Sequence, residues 1–315
     1  MAPNKVLITG GFGFVGARIA KHLDAKGIEV VILEQSGMVI PKGLANYKIV
    51  EADITDAVSM QKVKLPDVDA VLHLAAQSSG PRSFSVPHLD INLNIIGTLN
   101  VIDWCTANNV ERLLFASSFV VCGDHPELEA ISEDISCNPK SVYAGSKLAC
   151  EHMLMNYAQP KGISWSALRM YNVYGPGQDI TKPDQGVVGI FMNMLRQQDI
   201  VQVKGRLDRF RDLIYIDDVV QAWDLCLHSE AHNQILNIGT GQKTTYSDLI
   251  SLIAKVLGKA DSFRIEELPG TPGDMMGCFA DLEKTRKYLS FVPKVKLEEG
   301  ITEMWNWVKK KEKNS

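Results

Sequence analysis

The sequence predicts an α/β protein with a doubly wound, Rossmann-type parallel sheet and a smaller, discontinuous mixed α/β lobe. Three observations predict this fold. Short aliphatic or β-branched runs alternate with amphipathic stretches of helix length through the first half of the chain, as βαβ units require. After Tyr174 the alternation gives way to glycine and proline loop signals separated by single helices. The length of 315 residues is also near the upper limit for one hydrophobic core, which favours a second lobe.

Each short run is expected to form one strand of the parallel sheet. The predicted strands are Lys5–Thr9, Glu29–Leu33, Lys48–Val50, Ala70–His73, Arg112–Ser117, Ser164–Met170 and, returning later, Leu236–Ile238. The predicted helices include Val15–Ala25, Val187–Gln197, Tyr246–Leu257 and Glu299–Lys310. These elements predict a sheet domain from residues 1–175 and 212–240, and a second lobe from residues 176–211 and 241–315.

Composition and charge argue against several classes of protein. Apolar residues make up 45% and charged residues 22% of the chain, which is ordinary for a globular protein. The 33 Lys and Arg against 37 Asp and Glu give a net charge of -4, which argues against nucleic acid as the main partner. We expect no signal peptide and no membrane partner, because no apolar run approaches the length of a membrane span.

The six cysteines are scattered, with no Cys-x-x-Cys pair and no histidine at a zinc-ligand spacing. The sequence therefore predicts no metal site. Reduced thiols in a chain of this length are typical of the cytoplasm, where we expect the protein to be found.

A glycine-rich turn joins the first predicted strand to the first predicted helix. Its residues are Gly10, Gly11, Gly13, Phe14, Val15 and Gly16. The spacing Gly11-x-Gly13-x-x-Gly16 is typical of dinucleotide sites, where glycines let the backbone approach a pyrophosphate at the helix start. A tight turn without a ligand is the alternative, but the strand, the helix and a later acidic residue all fit the dinucleotide pattern.

The acidic residue is Glu34, which ends the second strand. A carboxylate at this distance from the glycine turn accepts hydrogen bonds from the adenosine ribose and repels a 2′-phosphate. No Lys or Arg occurs between Glu29 and Val39 to bind such a phosphate. The sequence therefore favours NAD over NADP, with an ordinary exposed acid at a strand end as the alternative.

Three residues form a candidate catalytic set. Tyr143 and Lys147 are four residues apart on a predicted helix, so they share one helix face. A neighbouring ammonium favours a phenolate, so we expect Lys147 to lower the pKa of Tyr143 and make it a proton acceptor. Ser118 follows a parallel strand and would lie at the same sheet edge. Without the glycine turn, the Tyr-x-x-x-Lys spacing would indicate only a solvated helix face.

Two motifs occur together, Thr9-Gly10-x-x-Gly13-x-x-Gly16 and Tyr143-x-x-x-Lys147. Further characteristic segments are Ala52-Asp53-Ile54, Val71-Leu72-His73-Leu74-Ala75-Ala76, Asn94-x-x-Gly97-Thr98, Ala116-Ser117-Ser118, Leu168-Arg169-Met170-Tyr171-Asn172-Val173-Tyr174-Gly175-Pro176 and Arg211-Asp212-Leu213-Ile214-Tyr215-Ile216-Asp217-Asp218-Val219. With these segments nearly the whole chain resembles the extended short-chain dehydrogenases/reductases. Within that branch it is similar to the NAD-dependent epimerases and dehydratases, especially UDP-sugar 4-epimerases.

The resemblance implies how NAD is held. Asp53 and Ile54 would contact the adenine, Ala75 and Ala76 would let NAD lie against the sheet, and Lys147 would hydrogen-bond the nicotinamide ribose. The full set expected to bind NAD is Gly10, Gly13, Phe14, Val15, Gly16, Glu34, Asp53, Ile54, Ala75, Ala76, Asn94, Ser117, Tyr143 and Lys147. A turn residue, ordinary packing and a helix-surface amide are the alternatives for Asp53, the alanines and Asn94.

The residues after Ser118 bear on the reaction. The 4,6-dehydratases of the family carry Thr-Asp-Glu at this place, because elimination needs a further acid and base. Here Phe119 and Val120 follow, and neither can transfer a proton. The resemblance therefore implies an epimerase that oxidises and reduces C4 of a nucleotide-diphosphate hexose, of the UDP-glucose/galactose or UDP-N-acetylhexosamine type. An unusual dehydratase or other lyase, and a catalytically silent NAD-binding regulator, remain alternatives.

A diphosphate needs a cation, and Arg211 is the expected one because a guanidinium fork matches phosphate oxygens. Arg206 fits a solvated basic loop better. By resemblance, Asn172 would contact the phosphate or the sugar, and Asp274 and Cys278 would belong to the same substrate site. A small residue such as Cys278 would leave room for an N-acetyl group.

The stretch Ile91–Ala107 is apolar on most faces, whereas a helix on one side of a sheet needs a single apolar stripe. The resemblance implies that this helix and the one carrying Tyr143 pair with a second copy in a homodimer. Burial under the second lobe is the alternative.

Overall fold

A seven-stranded parallel sheet lies at the centre of the protein, in a computed structural model that describes residues 3–125, 130–184, 186–270, 273 and 275–313. The strands are β1 (Lys5–Thr9), β2 (Glu29–Glu34), β3 (Lys48–Glu51), β4 (Ala70–His73), β5 (Arg112–Ser118), β6 (Ser164–Met170), β7 (Asn172–Tyr174), β8 (Ile200–Lys204), β9 (Phe210–Arg211), β10 (Leu213–Tyr215), β11 (Gln234–Ile238), β12 (Thr244–Thr245) and β13 (Arg264–Leu268). The central sheet has the order β11-β6-β5-β4-β1-β2-β3, and all its neighbouring strands are parallel. The predicted fold class is confirmed.

Helices flank the sheet and build much of the second lobe. They are α1 (Phe14–Ala25), α2 (Ala57–Lys62), α3 (Gly80–Ser85), α4 (Pro87–Asp90), α5 (Gly97–Ala107), α6 (Val142–Met153), α7 (Val187–Gln197), α8 (Ile216–Leu227), α9 (Tyr246–Leu257), α10 (Glu283–Leu289) and α11 (Leu297–Lys313). The Ser141 hydroxyl begins α6 by accepting a hydrogen bond from the Ala144 N–H at 3.1 Å. Within the described ranges, no helix combines the length and the apolar character needed to cross a membrane.

Alternate residues of the central strands enter two different cores. Val6 and Ile8 of β1 pack in a cluster with Leu23 of α1, while Leu7 between them packs in a second cluster with Ile102 of α5. All five are nearly or fully buried. A strand that is buried on both faces reads as a continuous aliphatic run, which is why the sequence predicted these strands closely.

The second lobe is built from the later segments of the chain. β8 and β13 form a parallel pair, β9 and β12 an antiparallel pair, and α7 packs on α9. The core on the α1 side of the sheet continues into this lobe through Leu195, Ile250 and Met304. Because the core is continuous, the division into residues 1–175 with 212–240 and 176–211 with 241–315 stays a prediction.

The apolar stretch Ile91–Ala107 is a π-helical turn, Ile91–Ile96, that continues into α5. Most of its apolar side chains are partly or fully buried within the chain, and the Trp104 indole donates to the Val63 carbonyl at 3.0 Å. Two isoleucines remain at the surface, Ile91 at 43% and Ile96 at 37% exposure. The surplus apolar surface is therefore smaller than the sequence predicted.

Candidate active site

A cavity of about 1060 Å³ opens at the carboxyl ends of the central strands. It lies by β1 and β4, where the strand order reverses, which is the usual place for a ligand in a doubly wound sheet. The sequence-predicted residues that line it are Gly10, Gly13, Phe14, Val15, Gly16, Glu34, Asp53, Ile54, Ala75, Ala76, Ser117, Ser118, Tyr143, Lys147, Asn172 and Arg211.

The glycine turn forms one wall and has room for backbone only. Gly10 has a φ of +73°, and a Cβ there would lie 2.6 Å from the Ala75 nitrogen. A Cβ at Gly16 would lie 2.3 Å from the Gly10 carbonyl oxygen, so a side chain would push α1 away from the turn. Close backbone and a helix N-terminus together suit a pyrophosphate, so this wall fits NAD.

Acidic side chains at the end of β2 and after β3 also line the cavity. The Glu34 carboxylate accepts a hydrogen bond from the Phe12 N–H at 2.8 Å, so it ties the glycine turn to the second strand. Burial raises the pKa of Glu34. The Asp53 carboxylate accepts bonds from the Thr55 N–H and hydroxyl, both at 2.8 Å, and Asp53 is thus a turn residue at the cavity wall.

Ser118, Tyr143 and Lys147 form what we call the floor of the cavity. Ser118 ends β5, and the other two residues lie four apart on the buried face of α6. The Ser118 side chain lies against the Tyr143 phenol. The Lys147 ammonium donates to the Ala116 carbonyl at 2.8 Å and lies 4.6 Å from the centre of the Phe115 ring. The three candidate catalytic residues thus share one place, with Lys147 anchored to β5.

The expected lowering of the Tyr143 pKa by Lys147 is wrong for this arrangement. Burial raises the pKa of the Tyr143 phenol to about 12, while the Ser118 side chain opposes the shift and the Asp90 carboxylate adds to it. Burial also lowers the pKa of the Lys147 ammonium to about 8. Burial makes the charged form of either group cost free energy. That cost is larger than the favourable interaction expected between an ammonium and a phenolate one helix turn apart.

An ion pair that the sequence analysis missed lies behind the floor. Glu151, one helix turn beyond Lys147, pairs with Arg169 of β6 at 2.8 Å, and both side chains are at most 3% exposed. The Ser117 hydroxyl donates to the same carboxylate. The four-residue spacing of Tyr143, Lys147 and Glu151 places Glu151 on the same face of α6, but no short motif relates it to Arg169. The pair holds α6 against β5 and β6.

His73 connects the two sides of the site. Its Nδ1 lies 2.7 Å from the Thr9 hydroxyl and its Nε2 lies 3.0 Å from the Thr98 hydroxyl. Burial lowers the pKa of His73 to about 3, and the Lys147 charge adds to the shift. His73 is therefore a neutral structural residue that joins β1 to the start of α5.

Asn94 was expected to face the cofactor, but it does not line the cavity. It is buried, and its amide donates to the Ser146 hydroxyl at 2.8 Å and to the Gln77 carbonyl at 3.1 Å. The side-chain oxygen Oδ1 of Asn94 accepts a hydrogen bond from the Gln77 N–H at 2.9 Å. Asn94 thus fixes α6 to the segment after β4 from behind the wall.

On the substrate side, Arg211 and Asn172 line the cavity and are both anchored to backbone. Arg211 Nη1 donates to the Phe210 carbonyl at 2.7 Å, and Asn172 Nδ2 donates to the Asp212 carbonyl at 3.0 Å. The assignment of Cys278 to the substrate site is corrected. Cys278 is 1% exposed and packs with Phe119 and Tyr171 behind the wall.

Asp274, the remaining predicted substrate residue, lies outside the described residues. Its described neighbours Gly273 and Met275 both line the cavity.

Three cations at the rim also escaped the sequence analysis. Arg82, Lys140 and Lys182 are exposed and line the cavity, and we call them the mouth. The Ser79 hydroxyl donates to the Asp184 carboxylate at 2.8 Å across the same rim. Since exposed lysines and arginines are common, only the tertiary structure indicates which of them face a cavity.

Comparison with known proteins finds a matching family profile and a similar sequence. The profile of the NAD dependent epimerase/dehydratase family matches residues 6–239. A protein of Methanocaldococcus jannaschii described as a putative UDP-glucose 4-epimerase is 32% identical, over 96% of this chain and 98% of its own length.

Solved structures are also similar over their full length. UDP-glucose 4-epimerase of Thermotoga maritima with UDP-glucose has a TM-score of 0.91 at 32% identity, covering 98% of this chain and 99% of that one. UDP-N-acetylglucosamine 4-epimerase of Methanobrevibacter ruminantium has a TM-score of 0.89 at 30% identity, covering 99% of this chain and 100% of that one.

Proposed function

The chain belongs to the NAD-dependent epimerase/dehydratase family, and on that premise we propose that it is a 4-epimerase of a nucleotide-diphosphate hexose that works through a 4-keto sugar. One observation carries the proposal. On the floor of the cavity, Ser118 and Tyr143 meet beside Phe119 and Val120, which line the same wall and cannot transfer a proton. The similar proteins are UDP-sugar 4-epimerases by description, which favours a UDP-glucose/galactose or UDP-N-acetylhexosamine substrate.

Each floor residue has one task in this mechanism. The Tyr143 phenolate would accept the proton of the sugar 4-hydroxyl and the resulting phenol would later return it, while the Ser118 hydroxyl would hold the same sugar oxygen. Lys147, fixed at 2.8 Å from the Ala116 carbonyl, places an ammonium beneath the site. NAD, when bound, would supply the acceptor and donor of hydride at C4, and the positive charge of its oxidised nicotinamide would favour the phenolate form of Tyr143.

Elimination of water needs an acid and a base in addition to Ser118, Tyr143 and Lys147. The acidic side chains among the described cavity residues are Glu34, Asp53, Asp179 and Asp184. Glu34 ends β2, Asp53 follows β3, and the other two lie near the mouth. None of them belongs to the segment after Ser118, where an elimination would need its acid. Reversible oxidation at one carbon needs only the floor residues.

Arg211 would hold the diphosphate of the substrate. Its guanidinium is oriented by carbonyl acceptors and lies over the Tyr246 ring at 5.2 Å, so the fork is fixed before a ligand arrives. Asn172, next to it on the cavity wall, would contact the phosphate or the sugar.

The test begins with the cofactor. The purified protein is denatured and the released NAD is assayed, with about one NAD per chain as the expected result, because an epimerase regenerates its cofactor in each cycle. The intact protein is then incubated with UDP-, GDP-, CDP- and dTDP-hexoses, and the products are separated. Conversion of one sugar nucleotide into its C4 epimer at unchanged mass is expected.

Other products would contradict the proposal in distinct ways. Loss of water or of carbon dioxide from the substrate would indicate a dehydratase or another lyase. Bound NAD without turnover of any sugar nucleotide would indicate an NAD-binding regulator.

We also propose that two copies pair through the helical stretch Ile91–Ala107 and α6. The exposed Ile91 and Ile96 form the apolar remainder of this face, which a partner would cover. Replacing both isoleucines by lysine should halve the mass measured by light scattering after gel filtration. Val58→Lys, an exposed apolar position elsewhere, is the matched control. A monomeric mass for the wild-type chain would contradict the proposal.

A further inference from the structure

Behind the floor, two cysteine thiols contact the same guanidinium group, that of Arg169. Arg169 Nη1 lies 3.7 Å from the Cys122 Sγ, and its Nη2 lies 3.4 Å from the Cys137 Sγ. The two thiols also interact with each other. We propose that Cys137 and Cys122 are a peroxide-reactive pair, which a hydroperoxide converts into a disulfide. This site is separate from the sugar and cofactor chemistry.

The backbone already holds the two cysteines side by side. The Asn138 N–H, next to Cys137, donates to the Cys122 carbonyl at 3.0 Å. This bond keeps the segment before α6 against the turn after β5. A disulfide needs two cysteines on neighbouring segments, and this backbone hydrogen bond brings the two segments together. We expect closure of the bond to need mainly rotation of the two side chains.

The two thiols differ in access. Cys137 is only partly buried, whereas Cys122 is fully buried. A small peroxide arriving from solvent would meet Cys137 first. Cys122 is then in place to react with the oxidised sulfur. This is the usual division between an attacking and a resolving cysteine.

The charges around the pair favour the same division. The Cys122 thiol and then the Arg169 guanidinium lower the pKa of Cys137 to about 6, against burial and the Glu151 carboxylate behind Arg169. Hydrogen bonding with Cys137 and burial raise the pKa of Cys122. Cys137 is therefore the thiol of this pair that loses its proton more readily, and a thiolate is the form that attacks a peroxide.

The chemistry balances with hydrogen peroxide as the oxidant. The Cys137 thiolate attacks one peroxide oxygen, the S–O bond forms, the O–O bond breaks, and hydroxide leaves and is protonated to water. The Cys122 thiol then gives up its proton as its sulfur attacks the sulfenic sulfur. The S–S bond forms, the S–O bond breaks and a second water leaves. Two thiols lose two electrons and one peroxide gains them.

The disulfide would act on the cavity wall from behind. Cys122 is four residues after Ser118, and the next residues reach Asp124, whose carboxylate accepts from the Met276 and Gly277 N–H groups at 3.0 and 3.1 Å. A disulfide between Cys122 and Cys137 would alter the contacts that both sulfurs make with the Arg169 guanidinium. We expect slower turnover in the oxidised protein and recovery with dithiothreitol.

To test this, the 315-residue protein is treated with hydrogen peroxide and its free thiols are blocked with an alkylating reagent. Its peptides are then mapped by mass spectrometry. A linked peptide containing Cys122 and Cys137, lighter by two hydrogens and cleaved by dithiothreitol, is expected. Cys137→Ser should abolish the link. Cys226→Ser is the matched control, because Cys226 is a buried cysteine 3.7 Å from the Arg112 guanidinium, and it should leave the link intact.

The peptide readout needs no substrate, so it stands even if the proposed epimerase activity fails. Oxidation spread over several cysteines without a Cys122–Cys137 link would overturn the proposal. The proposal would also be overturned if the link formed in the wild-type protein but Cys137 were alkylated no faster than Cys105, which is fully buried. Unchanged turnover in the disulfide form would contradict its effect on the cavity.

Discussion

The floor of the cavity and its mouth hold their polar side chains in opposite ways. On the floor, Lys147, Ser118 and Tyr143 are 3%, 8% and 9% exposed and rest on fixed neighbours. At the mouth, Arg82 and Lys182 extend into solvent. Burial strengthens the electrostatic effect of a group, whereas water and salt screen an exposed charge. The chemistry should therefore depend steeply on the floor, and the mouth should influence only how readily a charged ligand arrives.

The largest effect is expected at the floor. Tyr143→Phe removes the proton acceptor and should lower kcat about 10³-fold while NAD stays bound, because positioned acid–base groups contribute at this level. Initial rates of epimer formation and the NAD content after denaturation are the measurements.

Tyr171→Phe is the matched control for that change. Tyr171 also lines the cavity, and its hydroxyl finds no hydrogen-bond partner among the described residues. Its removal should change kcat by less than about three-fold, since no hydrogen bond is lost. Equal losses in the two variants would mean that the floor contributes packing and not proton transfer.

Arg211 is intermediate between floor and mouth in how firmly it is held. It is only partly buried, but backbone carbonyls anchor its guanidinium. Arg211→Ala should raise KM about 30-fold with a smaller change in kcat, as a charge-assisted bond to phosphate contributes about 2 kcal/mol. Arg206→Ala is the control, since Arg206 is exposed and pairs with Asp208. A KM unchanged in Arg211→Ala would remove this residue from the diphosphate site.

The buried state of His73, next to the floor, can be tested through the pH dependence of stability. Its pKa is about 3 in the folded protein and near 6.5 when unfolded, so the unfolded chain binds the extra proton as the pH falls below 6.5. The free energy of unfolding should therefore drop by about 2 kcal/mol between pH 7 and pH 5 from this group alone.

Urea unfolding at the two pH values, with NAD present, measures that difference. His73→Gln should lose this part of the acid sensitivity, whereas the exposed His88→Gln should keep it. The same pH dependence in His73→Gln and wild type would show that His73 is not a neutral buried group.

The smallest effect is expected at the mouth. Arg82→Ala combined with Lys182→Ala should raise KM only about two- to three-fold, because exposed charges contribute little. The effect should shrink further with added salt. The control for the loss of two charges is Lys62→Ala combined with Lys64→Ala, two exposed lysines outside the cavity wall. A loss larger than that of Arg211→Ala would reverse the distinction between floor and mouth.

The sequence predicted the parts of the site that are encoded by neighbouring residues. The glycine turn, Glu34 and the pair Tyr143 and Lys147 each follow from a short segment whose geometry is local. A strand, a turn and a helix must follow one another in a fixed path, so residue spacing is enough to locate them.

Predictions failed where the outcome depended on segments far apart in the chain. Asn94 and Cys278 occur at family positions but lie behind the cavity wall, because packing partners from other elements decide which side a residue faces. Glu151 and Arg169 pair across α6 and β6, and no short motif relates two such positions.

The sequence by itself therefore determined the positions of the strands along the chain, the dinucleotide turn and the identity of the floor residues. Only the tertiary structure decided their ionisation, since burial raises the pKa of Tyr143 and lowers that of Lys147 whatever their spacing on the helix. It also brought Cys122 and Cys137 to one guanidinium. Sequence periodicity determines which side chains are neighbours on one helix or strand. Desolvation of a side chain depends on every element that packs around it.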